Sequence, residues 1–143
     1  AVQEKMLADQ REGVLSYSWR PDGKAVAFFG RDWGSGTSIF VVDTVMGGSK
    51  KVIGNVLPNT MGPAWFKDKN GDYGLLAITS DDRLLRVTEQ GDATPIKTGL
   101  LGLSEVTAAK VRKRNLVFVT ALGRKQHEDA NLRNRRLYKF EIE

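Results

Sequence analysis

The sequence repeats itself. Trp19, in Tyr17-Ser18-Trp19-Arg20-Pro21-Asp22-Gly23, has a counterpart 46 residues later in Trp65 of Pro63-Ala64-Trp65-Phe66. A period in the range of roughly 20–50 residues marks one supersecondary unit stacked on copies of itself. In the first copy an apolar strand end runs into Pro21-Asp22-Gly23, where Pro sets the first corner of a turn and Gly accepts positive φ. Residues 25–29, a Gly-rich loop at 31–38, residues 39–43, a turn at Met46-Gly47-Gly48 and residues 50–53 follow, so one unit reads as four successive strands. The second copy turns through Lys67-Asp68-Lys69-Asn70-Gly71-Asp72 into strands at 75–79 and 84–87 and a short one around Pro95-Ile96-Lys97. The third turns at Lys113-Arg114-Asn115 into strands at 116–120 and 137–142 and lacks a fourth.

The second strands of the three units are continuously apolar rather than alternating, which requires both faces to be buried. Inner strands of blades sandwiched between neighbouring blades meet that requirement. A parallel α/β sheet also buries both faces, but its crossovers need amphipathic helices, and here the connectors are turns. Residues 3–12 and 104–114 carry helical propensity. The second stretch falls where the register demands a first strand and is read as one; the first leaves an N-terminal helix open. The expected fold is therefore all-β, a β-propeller of four-stranded blades with about three blades per chain, at roughly 14–54, 59–98 and 103–143, and with residues 1–13 spare as a closing strand.

The run 17–24, with Val26-Ala27-Phe28, Ile39-Phe40-Val41-Val42-Asp43 and Gly47-Gly48, resembles the repeat of the TolB-type, WD-repeat-like β-propeller family. Ala64-Trp65-Phe66 and Asn70-Gly71 carry the likeness into the second unit; the third rests on register and apolar pattern. The resemblance implies a binding scaffold more than an enzyme, a periplasmic or secreted setting, and a ring closed by the N-terminal strand. Similar repeats form the propeller of prolyl-oligopeptidase-like hydrolases, so a portion of such an enzyme is the alternative. Closed propellers have about 4–8 blades, and three leave open sheet edges. Two chains closing one six-bladed ring, with residues 3–8 of one beside residues 138–142 of the other, would resolve this; a longer propeller would do so too.

The chemistry of other classes is poorly represented. The 143 residues hold no cysteine, which removes disulfides, thiolate metal sites and cysteine catalysis. No apolar run approaches the roughly 20 residues of a membrane-spanning helix. Ser35 sits between Gly34 and Gly36, but Trp33 and Thr37 stand where the outer glycines of a nucleophile elbow belong. His127 is the one histidine, in the polar run Arg124-Lys125-Gln126-His127-Glu128-Asp129, with no nucleophile identifiable beside it. Asp68-Lys69-Asn70-Gly71-Asp72 begins like a calcium loop, but Thr79 stands where the bidentate Glu is needed, so a hairpin turn is expected. Gly47-Gly48-Ser49-Lys50 lacks the order of a phosphate-binding loop. No catalytic residue, metal or cofactor is assigned.

The net charge of +5 suits an anionic partner, but the basic clusters at 110–114 and 133–136 fall on opposite rims of a blade register, which argues against nucleic acid. The same register brings the loops between second and third strands onto one rim with the loops that enter each new blade. That rim gathers Arg31, Asp32, Trp33, Arg124, Lys125 and His127 as candidate ligand-binding residues, next to Asn59-Thr60-Met61. Trp33, a large aromatic in a Gly-rich loop beside Arg31, pairs residue types common at binding surfaces, although it also suits packing on a neighbouring blade. The function expected is a non-catalytic binding scaffold for a protein or peptide partner, in a homo-oligomer or a larger propeller.

Overall fold

A computed structural model describes residues 3–8, 13–32, 34, 36–124 and 134–143. Among them there is no helix, and every sheet is antiparallel. Sheet 1 is a four-stranded meander of β1 (Val14–Trp19), β2 (Ala25–Asp32), β3 (Gly36–Asp43) and β4 (Ser49–Ile53). Sheet 2 repeats the plan with β5 (Ala64–Lys67), β6 (Tyr73–Ile78), β7 (Leu84–Thr88) and β8 (Ala93–Ile96). After β9 (Leu100–Leu101) come β10 (Glu105–Val111), β11 (Arg114–Ala121), β12 (Gly123–Arg124) and β13 (Arg136–Ile142). Sheet 3 has three strands in the order β10, β11, β13, and β9 pairs with β12 as a two-residue ribbon.

The turns form where their residues permit them. Gly23, at φ +74°, donates its amide to the Arg20 carbonyl at 2.8 Å, and Arg20 N reaches Ala25 O at 2.9 Å, closing the β1–β2 hairpin. The Asp68 carboxylate accepts the amides of Asn70 and Asp72 at 2.8 and 3.0 Å, which makes residues 68–72 a hairpin turn with Gly71 at φ +86°. The β10–β11 turn departs from expectation: it lies at Arg112-Lys113, and Arg114 already pairs with Val111. Both turn residues have positive φ, +50° and +68°, the geometry of a tight hairpin turn usually made by Asn-Gly. Residues 105–111 form a strand despite their helical propensity, because seven cross-strand pairs with β11 outweigh a preference of a few tenths of a kcal/mol per residue, as roughly sized by host peptides.

Burial shows how the sheets stack. One face of sheet 1 (Ala25, Ala27, Phe29, Ile39) meets one face of sheet 2 (Trp65, Leu75, Ala77, Leu85, Val87). The other face of sheet 2 (Phe66, Leu76, Ile78, Leu84) meets Val106, Val117, Val119 and Ala121 of sheet 3. Both faces of β2 and β6 are thus enclosed, as their unbroken apolar runs require. β11 behaves otherwise. Val117 and Val119 are buried while Leu116 and Phe118 are half-buried, since among the described residues no further sheet lies against the far side of sheet 3.

Residues 3–8 form neither helix nor strand. Leu7 and Ala8 instead lie against Val26, Phe28, Phe40 and Val42 on the far face of sheet 1, where the rings of Phe28 and Phe40 stack at 5.2 Å, and Lys5 Nζ donates to Val45 O at 2.5 Å. The segment expected to pair with another chain thus rests on its own sheet, because sheet 1 offers it a bare apolar face.

The junction between sheets 1 and 2 tolerates no extra atom at Gly62, whose φ is +85° and where an added Cβ would collide with the Tyr17 carbonyl. Gly62→Ala is expected to destabilise the protein by about 3 kcal/mol, through the clash and the left-handed backbone together. A urea midpoint equal to that of the wild type would contradict this packing.

Candidate functional site

Of the residues expected on one binding rim, Arg31, Asp32 and Arg124 lie in strands. Arg31 and Asp32 are not in a loop: β2 continues through them, with Arg31 opposite Thr37 and Asp32 opposite Gly36. Gly34 and Gly36 both have positive φ, which lets the chain reverse directly after Asp32. Arg31 is exposed, whereas Asp32 pairs with Lys51 Nζ at 2.8 Å across the sheet. Such a partly exposed pair contributes at most about 1 kcal/mol.

Arg124 is likewise in a ribbon rather than a loop. It pairs with Leu100, its guanidinium lies 5.5 Å from the Tyr138 ring centroid, and Nη1 donates to Thr98 O at 3.3 Å. Arg31 and Asp32 belong to sheet 1 and Arg124 to the ribbon beside sheet 3, with sheet 2 between. Trp33, Lys125 and His127 lie outside the described residues, as does Ser35.

The connectors do share one side of the stack, and they are cross-braced. Asn59, only 3% exposed, accepts Val106 N on Oδ1 at 3.0 Å, donates Nδ2 to Gly62 O at 3.3 Å and accepts Ser16 Oγ on its main-chain carbonyl at 2.8 Å. Thr60 donates both its amide and its hydroxyl to Glu105 Oε1, at 2.9 and 2.5 Å. Those two hydrogen bonds hold the Glu105 carboxyl below the usual range. Asp82 braces the next connector in the same way, accepting Gly102 N and Leu103 N at 2.9 and 2.8 Å. Of the stretch 59–61 only Met61 has its side chain left unbraced, and it is 75% exposed.

On the opposite side Arg20 joins sheets 1 and 2. Its guanidinium reaches Asp22 and Glu89, each at 2.8 Å, and lies 5.2 Å from the Tyr73 ring centroid. The hydrogen bond to Asp22 and the Glu89 carboxylate raise its already high pKa against a smaller desolvation effect, so it stays charged.

Two surfaces near the connectors and on sheet 1 are open for recognition. A cleft of about 540 Å³ opens where the first connector meets the β6–β7 turn, between Ile53, Asn55, Ser80, Arg83 and Pro95. The second is the β1 half of the far face of sheet 1, where Tyr17 and Trp19, opposite Phe28 and Val26, are 62% and 58% exposed. Sequence patterning hides this second surface, because Trp19 and Trp65 share a motif and read as equivalent. Among the described residues no group of three His, Cys, Asp or Glu side chains is placed to hold a metal ion. Comparison with protein-family models, curated proteins and solved structures returned no match.

The depressed Glu105 carboxyl has a consequence for acid stability. Its folded pKa lies below its unfolded one, so its contribution is present above the ordinary Glu pKa and is lost as pH falls through the folded value. Between pH 7 and pH 3 the urea midpoint of the wild type is expected to fall further than that of Glu105→Gln. Parallel losses in the two proteins would show that the Thr60–Glu105 link adds nothing to stability.

Proposed function

We propose that this chain is a non-catalytic binding scaffold for a protein partner, a three-bladed arc of a TolB-like propeller that a second copy completes. The observation that carries the reading is the contrast between its two equivalent tryptophans. Trp65 fills the junction between sheet 2 and the sheet before it: it is 8% exposed and donates Nε1 to Ser18 O at 3.2 Å. Trp19 holds the same place in sheet 1, pointing to where a preceding sheet belongs, and is 58% exposed. An exposed Trp and Tyr side by side on an apolar sheet face are the residue types that dominate protein interfaces.

The far face of sheet 3, with Leu116 and Phe118 half-buried and Leu137 71% exposed, is the complementary end of the stack. A partner's sheet 3 laid on sheet 1 continues the in-chain stacking, and a two-fold axis makes the second such junction automatically. Arg31, Asp32, Trp33, Arg124, Lys125 and His127 are the residues proposed to meet a further protein or peptide ligand.

Light scattering at tens of micromolar tests the assembly. A mass of two chains is expected for the wild type, and Tyr17→Asp/Trp19→Asp should return the mass of one chain with the β-sheet circular dichroism retained. A single-chain wild type overturns completion by a second copy, and a double variant that still dimerises moves the interface elsewhere.

A further inference from the structure

The β10–β11 hairpin carries charge that sheet stacking does not require. Its reversal uses Arg112 and Lys113 at positive φ, where Asn-Gly is the unstrained choice. Beside it, at the junction of sheets 2 and 3, a cleft of about 230 Å³ lies between Lys67 and Lys69 on one wall and Lys110, Lys113 and Arg114 on the other. Asn115, also in the lining and buried, donates Nδ2 to Lys67 O at 2.7 Å, so the fold fixes one wall against the other.

The cleft also holds three carboxylates, and each is engaged. Asp68 accepts the amides of its own turn, Glu141 takes Arg114 at 2.7 Å, and Glu143 takes Lys69 at 3.3 Å. Lys110 and Lys113 have no carboxylate within ion-pair distance among the described residues, and Lys67 lies over the Tyr73 ring at 5.3 Å. Five cations and three carboxylates line the cleft and leave it net positive, a condition that concentrates anions.

We propose that this cleft binds a compact, multiply charged phosphate-bearing anion. Ammonium groups from two walls, with the Arg114 guanidinium in the second, suit an oligophosphate whose charges are close together. The volume falls below the roughly 300–1,000 Å³ of pockets that enclose whole drug-sized ligands, which favours a charged group over a large molecule. An extended nucleic-acid strand fits less well. Arg135 and Arg136 sit at the opposite end of sheet 3, where Arg136 pairs with Ala121 while Ile142 pairs with Asn115 beside the cleft, so no continuous basic track joins the two clusters. The site shares no residue with the face around Trp19 and stands independently of the scaffold reading.

Calorimetric titration with sodium tripolyphosphate at low ionic strength tests the site. The wild type is expected to bind at a single saturable site, and Lys110→Gln and Arg112→Asn/Lys113→Gly should each bind about ten-fold more weakly. The turn variant relieves the positive-φ strain, so its urea midpoint should equal or exceed that of the wild type, separating lost binding from lost folding. Lys24→Gln, in the β1–β2 turn of sheet 1, should leave the affinity unchanged. Absence of saturable binding, unchanged affinity in both cleft variants, or an equal loss in Lys24→Gln would each overturn the proposal. A short oligothymidylate that binds more tightly than tripolyphosphate, and is weakened by Arg135→Gln, would overturn it in favour of an extended strand.

Discussion

Asn59 directs its polar groups to different regions of the molecule: its side-chain oxygen to a backbone amide of sheet 3, its side-chain nitrogen back to its own connector, and its carbonyl to a serine of sheet 1. A buried residue satisfied in this way ties the first strands of sheets 1 and 3 to the connector that leads into sheet 2, and in a low-dielectric setting its bonds are costly to lose. Gly62, three residues on, leaves β1 and the connector in direct backbone contact. The stack depends on this connector more than on any single apolar pair, because sheet-on-sheet burial is non-directional and fixes neither offset nor angle.

Around that pin the apolar terms accumulate. Sheet 2 buries both of its faces, and a fully buried Leu, Ile or Phe side chain is favoured by roughly 1.5–3 kcal/mol over an exposed one. Sheets 1 and 3 each bury the centre of the face turned toward sheet 2. Their far faces differ in how they are finished: Leu7 and Ala8 cover the β2–β3 half of one, and the other is left with half-buried aromatic and aliphatic side chains. The polar braces, Thr60–Glu105 and Asp82 with Gly102 and Leu103, lie on the connector side, whereas Arg20 spans sheets 1 and 2 on the other.

Much of this is legible in the residues. The Trp19 and Trp65 repeat, the Pro21-Asp22-Gly23 turn and the unbroken apolar runs at 25–29 and 75–78 lead to the strand order of sheets 1 and 2 and to their enclosed inner strands. What escapes has specific causes. A turn at Arg112-Lys113 carries no Gly, Asn or Pro to announce it. The end of β2 at Asp32 depends on two glycines that reverse the chain in very few residues. The ribbon of β9 and β12 is too short to leave a periodic signal. For the candidate site, the rim follows from loop positions, which say where a residue emerges but not what it bonds to; hence Asp32 and Arg124 prove to be tied into sheets, and the bracing by Asn59 and Glu105 leaves no trace in the pattern. The finer architecture, a closed propeller, is a proposal resting on the unequal exposure of two like tryptophans.

The position of sheet 2 between two neighbours also shapes how the molecule comes apart. In an array where each unit touches only the next, stability resolves into contributions of the units and of the contacts between them. Sheet 2 shares both contacts, whereas sheets 1 and 3 each share one. Opening therefore begins at the ends, and amides of β6 are the last to exchange with solvent, behind those of β13 and β1. On that ordering, the outward faces proposed for dimer contact lie on the sheets expected to loosen first.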